Sequence, residues 1–180
     1  MYSIKVNTLG ILEFCVSLIL LFSIYDTVSV GQLIMSPQVQ LSTGVSNSTM
    51  GMLECLGDFY PSIDTIGLQK CVLESTVYNI SKSRVPYVQT RGRAIPIAFV
   101  THLFKKSVFV VDEYYSPQNE INQALILIHE CSHLILSTKD HAYRWQTKFD
   151  NLTDEEHMEN ADSYVDLIVK RCFIDTDVFF

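Results

Sequence analysis

Residues 118 to 136, QNEINQALILIHECSHLIL, restrict this chain more than any other stretch. From Ala124 to Leu136 apolar side chains recur on nearly every side of a helical wheel, so a helix formed here must be wrapped by other elements and run through the core. Into that helix the sequence sets His129, Glu130 and His133, and polar groups taken out of water need partners. At 3.6 residues per turn the two histidines lie on one face, one turn apart, where both imidazoles can reach a single tetrahedral metal. Glu130 projects from the same side, placed to take a proton from a water activated by that metal. Cys131, roughly two hundred degrees round from His129, points away. The competing reading is a pair of ordinary core histidines; zinc is the partner that best suits two imidazoles beside a carboxylate.

Other segments supply what wraps this helix. Residues 51 to 83 suggest two short helices divided near Pro61, and a loop containing RVPYVQTRGR follows. Two β-branched apolar runs, IPIAFVTHLF and SVFVVDEYY, separated by Lys105 and Lys106, read as a β-hairpin or two adjacent strands. Ser116 and Pro117 have the form of a cap and first-turn pair that opens the central helix. Thr153 and Glu156 have capping-box spacing, predicting a second helix from there to about Cys172, with Met158, Ala161, Val165 and Ile168 on one face.

At 180 residues the chain suits one well-buried domain. Its net charge of −7 excludes an electrostatic footprint for nucleic acid, because the one basic cluster (Arg84, Arg91, Arg93, Lys105, Lys106) is small and reads as a solvated loop and strand edge. Residues 1–31 read as a secretory signal peptide or signal anchor: Lys5 precedes the apolar run ILEFCVSLILLFSI, and small residues follow at Ser29 and Gly31. A buried core helix is the alternative for that run. Residues 32–50, rich in Ser, Thr, Gln and Asn, read as a flexible lead-in, and residues 51–180 as the folded domain. Sequons at Asn47, Asn79 and Asn151 fit exposed positions in a secreted or extracellular chain. With Cys15 inside the signal, Cys55, Cys71, Cys131 and Cys172 remain, an even number open to two disulfides in three connectivities. Cys55 with Cys71 closes the shortest loop. Four buried free thiols would instead suit a cytosolic location.

Beyond the helix, the stretch STKDHAYR resembles the Gly-Thr-x-Asp-x-x-Tyr-Gly segment that follows HExxH in the aspzincins, the deuterolysin and peptidyl-Lys metalloendopeptidase family. Thr138, Asp140 and Tyr143 stand at the family spacing, while Ser137 and Arg144 replace the flanking glycines. ENADSY, residues 159 to 164, is similar to the family's Asn-Ala-Asp-x-Tyr motif. The resemblance covers roughly residues 97 to 172.

The resemblance implies an α+β, helix-rich, zincin-like domain with a small antiparallel sheet beside the active-site helix. It implies Zn2+ held by His129, His133 and Asp140, with Glu130 as general base and Tyr143 as hydrogen-bond donor to a developing oxyanion. His141 is the chemical rival of Asp140 as third ligand, and the family register favours Asp140. In lysine-specific members the aspartate matching Asp162 pairs with a glutamate where this chain has Val165, so strict lysine specificity is not expected; Asp162 is left to shape the pocket or to orient a zinc-site histidine. Asn160 and Tyr164 are read as structural, as are the lone histidines His102 and His157. The expected activity is that of a zinc metalloendopeptidase acting on a protein or peptide substrate, as a monomer, with membrane contact only through an N-terminal signal anchor. A zinc amide hydrolase acting on a cell-wall or other non-protein substrate is one alternative. The other is a non-catalytic, membrane-anchored binding protein that has kept the fold, against which the retention of Glu130 argues.

Overall fold

A computed structural model of the chain describes residues 36–85, 94–101, 103–104 and 106–172. Strand β1, Gln38–Val39, leads into helix α1, Thr43–Phe59. Ser42 caps α1 by accepting the Val45 N–H at 3.1 Å, and its own hydroxyl donates to Glu120 at 3.0 Å. Val45, Thr49, Met52, Leu53 and Leu56 recur at helical spacing and are buried, so α1 presents one continuous face to the core. Residues 43–50, expected in the flexible lead-in, are thus its first turns: their polar composition describes the solvent face, while Val45 and Thr49 turn inward. Pro61 lies between α1 and α2, Thr65–Glu74, as expected, and Asp64 caps α2 through the Gly67 N–H.

Strand β2, Thr76–Ile80, follows directly, in a stretch read from sequence as helix; Thr76, Val77 and Ile80 are β-branched, and local propensity favours the strand once a neighbour is available. Strands β3, Ala98–Val100, and β4, Ser107–Val111, form the expected antiparallel pair. The sheet order is β1-β2-β4-β3, with β1 antiparallel to β2 and β2 parallel to β4. The class is α+β as expected, but the sheet is mixed, not antiparallel. A parallel pair needs a crossover connection, and residues 81–106, which include β3, lie between β2 and β4. Alternate residues Val77, Val108, Val110 and Ala98 enter the main core, while Tyr78, Phe99 and Phe104 gather round Phe109 with ring centroids 5.3 to 5.7 Å apart.

A short helix α3, Asp112–Tyr115, precedes the central helix α4, Glu120–Ile135. The cap of α4 is Asn119, which accepts the Asn122 N–H at 2.8 Å; Ser116 instead hydrogen-bonds Asp112 and closes α3. The Ser-Pro pair therefore follows α3 and does not open α4. Residues Ala124 to Ile128 are all buried, between α1, α2, the sheet and the last helix. Leu53, Leu56, Leu125, Leu127, Ile128 and Ile168 are at most 1% exposed, each contributing about 2 kcal/mol relative to exposure.

The expected capping box is present at Thr153 and Glu156. The helix it opens stops after one turn, as α5, Asp154–Met158, and the chain restarts as α6, Ala161–Cys172. Cys55 bonds Cys172 and Cys71 bonds Cys131, overturning the Cys55–Cys71 pairing. Short loop length favours a bridge only if the helices holding the two cysteines bring them together; here α1 meets the end of α6, and α2 lies against α4. Residues 1–31 with Cys15, and Arg91, Arg93, His102 and Lys105, lie outside the described residues. Among the described residues no helix is long and apolar enough to cross a membrane.

Candidate metal centre

Helix α4 ends where the site begins. Leu136 closes it in a near-helical conformation, and Ser137 then turns back in the left-handed region at φ 58°. A left-handed residue just past a helix end reverses the chain tightly. The reversal carries Thr138 beneath the helix end. Its hydroxyl hydrogen-bonds with that of Ser132 at 2.8 Å, and Ser132 donates to the His129 carbonyl at 2.7 Å.

The same turn fixes the orientation of His133. Its Nδ1 lies 2.9 Å from the Thr138 carbonyl, which can only accept, so Nδ1 carries the proton and Nε2 keeps its lone pair. Two residues on, Asp140 Oδ1 stands 3.4 Å from that Nε2 and 3.2 Å from His129 Nε2. One ligand atom from each of the three residues lies within 4.8 Å of the other two. A tetrahedral zinc with arms of about 2.0 to 2.1 Å places its ligand atoms roughly 3.3 Å apart, so the donor set suits the ion in type and the two distances to Asp140 suit it in spacing.

Behind His129, Asp162 Oδ1 lies 3.6 Å from Nδ1, and the other oxygen of Asp162 accepts the Arg144 N–H. Asp162 is buried, so it faces the imidazole as an orienting carboxylate and not as a solvated helix residue. His141, the rival third ligand, turns the other way: its Nε2 faces Glu159 at 3.7 Å. Cys131 is removed from consideration by its bond to Cys71.

Glu130 is 6% exposed. Burial pushes its carboxyl pKa up, against the opposing field of His129 and His133 and with the help of Asp140. This direction suits a group that must accept and then release a proton. Burial alone would discharge His129, yet the carboxylates of Asp140, Asp162 and Glu130 outweigh it and raise the imidazole to about 10 in the metal-free protein. Asp140 pays some desolvation too, and the two imidazoles hold it well below the usual carboxylate range. Two imidazoles facing a carboxylate are a donor set that a divalent cation can occupy in place of the imidazole protons.

Tyr143 does not stand apart. Its ring stacks on His129, centroids 6.0 Å apart, and on Trp145 at 4.8 Å, forming a ladder that leads from the site to an indole 62% exposed. His157 contacts the Ser163 hydroxyl and packs edge-on against Phe149, in keeping with its structural reading. Tyr164 donates to the Met158 carbonyl, bracing the break between α5 and α6. Sequence reasoning missed the parts played by Ser132 and Thr138; a hydroxyl one residue before the second histidine was the available signal. Compared with known protein-family models, curated proteins and solved structures, the chain has no significant match.

Proposed function

We propose that this chain is a zinc-dependent metalloendopeptidase. The observation that carries the reading is the convergence of His129, His133 and Asp140, with Asp140 Oδ1 3.2 and 3.4 Å from the two Nε2 atoms, beside a buried glutamate on the same helix. His129, His133 and Asp140 would hold the ion. Zinc in this position would supply Lewis acidity for a peptide carbonyl and make water a nucleophile near neutral pH.

The chain's own residues do the rest. Glu130, kept from ionising easily by burial, accepts the proton of the attacking water and returns it to the leaving amine as the peptide bond breaks. Tyr143, held against His129, is the donor proposed for the developing oxyanion. Asp162 and the Thr138 carbonyl keep the two imidazoles in orientation. The two disulfides are compatible with an extracellular setting, which we propose as its location.

The test uses purified full chain and its Glu130→Gln variant with a mixed protein substrate. One zinc per chain is expected in both, with cleavage falling about 10²- to 10⁴-fold in the variant. Absence of stoichiometric zinc, or undiminished cleavage by Glu130→Gln, overturns the proposal.

A further inference from the structure

Asp140 is the one proposed ligand that is not on a helix, and its side chain is 45% exposed. A carboxylate on a free loop would have to be ordered each time an ion bound, which would weaken binding. The loop is not free. Backbone groups of residues 139–144 make six hydrogen bonds to residues 159–162 at the start of α6. Lys139 N–H donates to the Glu159 carbonyl at 2.6 Å, and Ala161 N–H donates to the Lys139 carbonyl at 2.9 Å, a parallel bridge just before the ligand. Arg144 N–H donates to Asp162 just beyond it.

The other three pass through one amide. Asn160 Oδ1 accepts from both His141 N–H at 2.9 Å and Ala142 N–H at 3.2 Å, and Asn160 Nδ2 donates to the Ala142 carbonyl at 2.9 Å. Asn160 is fully buried and sits in the break between α5 and α6, so its amide reaches the loop because the helix is interrupted there. A continuous helix would carry this side chain within its own turn, with no route to three backbone groups of another segment.

We infer that Asn160 is the positioning residue for Asp140: it holds the ligand loop in metal-binding geometry before any ion arrives. The inference rests on the zinc reading of the site. An amide is the group required, because the task needs one acceptor for two N–H groups and one donor for a carbonyl. Asparagine supplies both.

The experiment titrates the full chain with Zn2+ by competition against a chromophoric chelator, and with Co2+ by quenching of Trp145, the only tryptophan in the chain. It compares wild type, Asn160→Ala, Asn160→Asp and Ile168→Val, with thermal unfolding of each metal-free form. Asn160→Ala is expected to bind both ions about 10- to 100-fold more weakly, the range for loss of a group that orients a ligand. Asn160→Asp keeps the acceptor and loses the donor, so its affinity should fall between; it also carries the test if the alanine variant does not fold. Ile168→Val, a core change on α6, the helix that follows Asn160, should lower the unfolding temperature and leave both affinities unchanged. Wild type that binds neither ion overturns the zinc reading itself. Wild type that binds, with Asn160 variants matching it or weakened no more than Ile168→Val, overturns the inference alone.

Discussion

Replacing Ser137 by glycine should stabilise the protein, the opposite of the effect of glycine within a helix. Ser137 sits at φ 58°, where a side chain crowds its own backbone at a cost of about 1–2 kcal/mol. Glycine removes that cost, but it widens the unfolded ensemble and gives back about 0.4–1 kcal/mol. The balance is roughly 0.5–1 kcal/mol in favour of the variant. For a chain of this size that is a rise of about 1–4 °C in unfolding temperature. A β-branched residue is worse than serine in the left-handed region, so Ser137→Val should fall below wild type. The assay is thermal unfolding by circular dichroism of the three proteins, disulfides intact and chelator present, so that metal linkage does not contribute. Glycine above serine above valine is the expected order. Ser137→Gly unfolding at or below the wild-type temperature would refute the claim that the turn into the ligand loop is strained by its side chain.

Removing the Cys71–Cys131 bond by Cys71→Ser with Cys131→Ala should cost about 2–5 kcal/mol, read as a lower midpoint in chemical denaturation, since the bridge closes a loop with a separation of 60 residues. A variant as stable as wild type would show that packing of α2 on α4 holds that contact unaided. Zinc binding should strengthen with pH: protons on the raised His129 compete with the ion, so the zinc-induced rise in unfolding temperature should be larger near pH 8 than near pH 6. In metal-free protein the sign reverses. The stability conferred by charged His129 is complete below its unfolded pKa of about 6.5 and is lost as pH rises towards 10. An equal zinc effect at both pH values would count against His129 as a ligand.

The most legible parts of this protein were those whose cause is local. The apolar run of α4 demanded burial, the histidine spacing put two imidazoles on one face, and Thr153 with Glu156 announced a capping box that the structure contains. The α+β class was expected from the resemblance, and the structure has it, with a four-stranded mixed sheet. The preference for Asp140 over His141 came only from the resemblance of the motifs; in the structure Asp140 faces both imidazoles and His141 faces Glu159. Other features depend on partners far away in sequence. The pairing of Cys55 with Cys172 spans 117 residues, and the parallel alignment of β2 with β4 needs a crossover connection. Helical periodicity runs straight through residues 154–172, yet the structure breaks it at Asn160, whose amide bonds the loop at 141–142. Sequence alone determined which atoms are available to bind a metal, because a helix repeats every 3.6 residues whatever surrounds it. Tertiary structure decided where the third of them stands, because a loop has no period of its own and takes its path from the segment to which it is hydrogen-bonded.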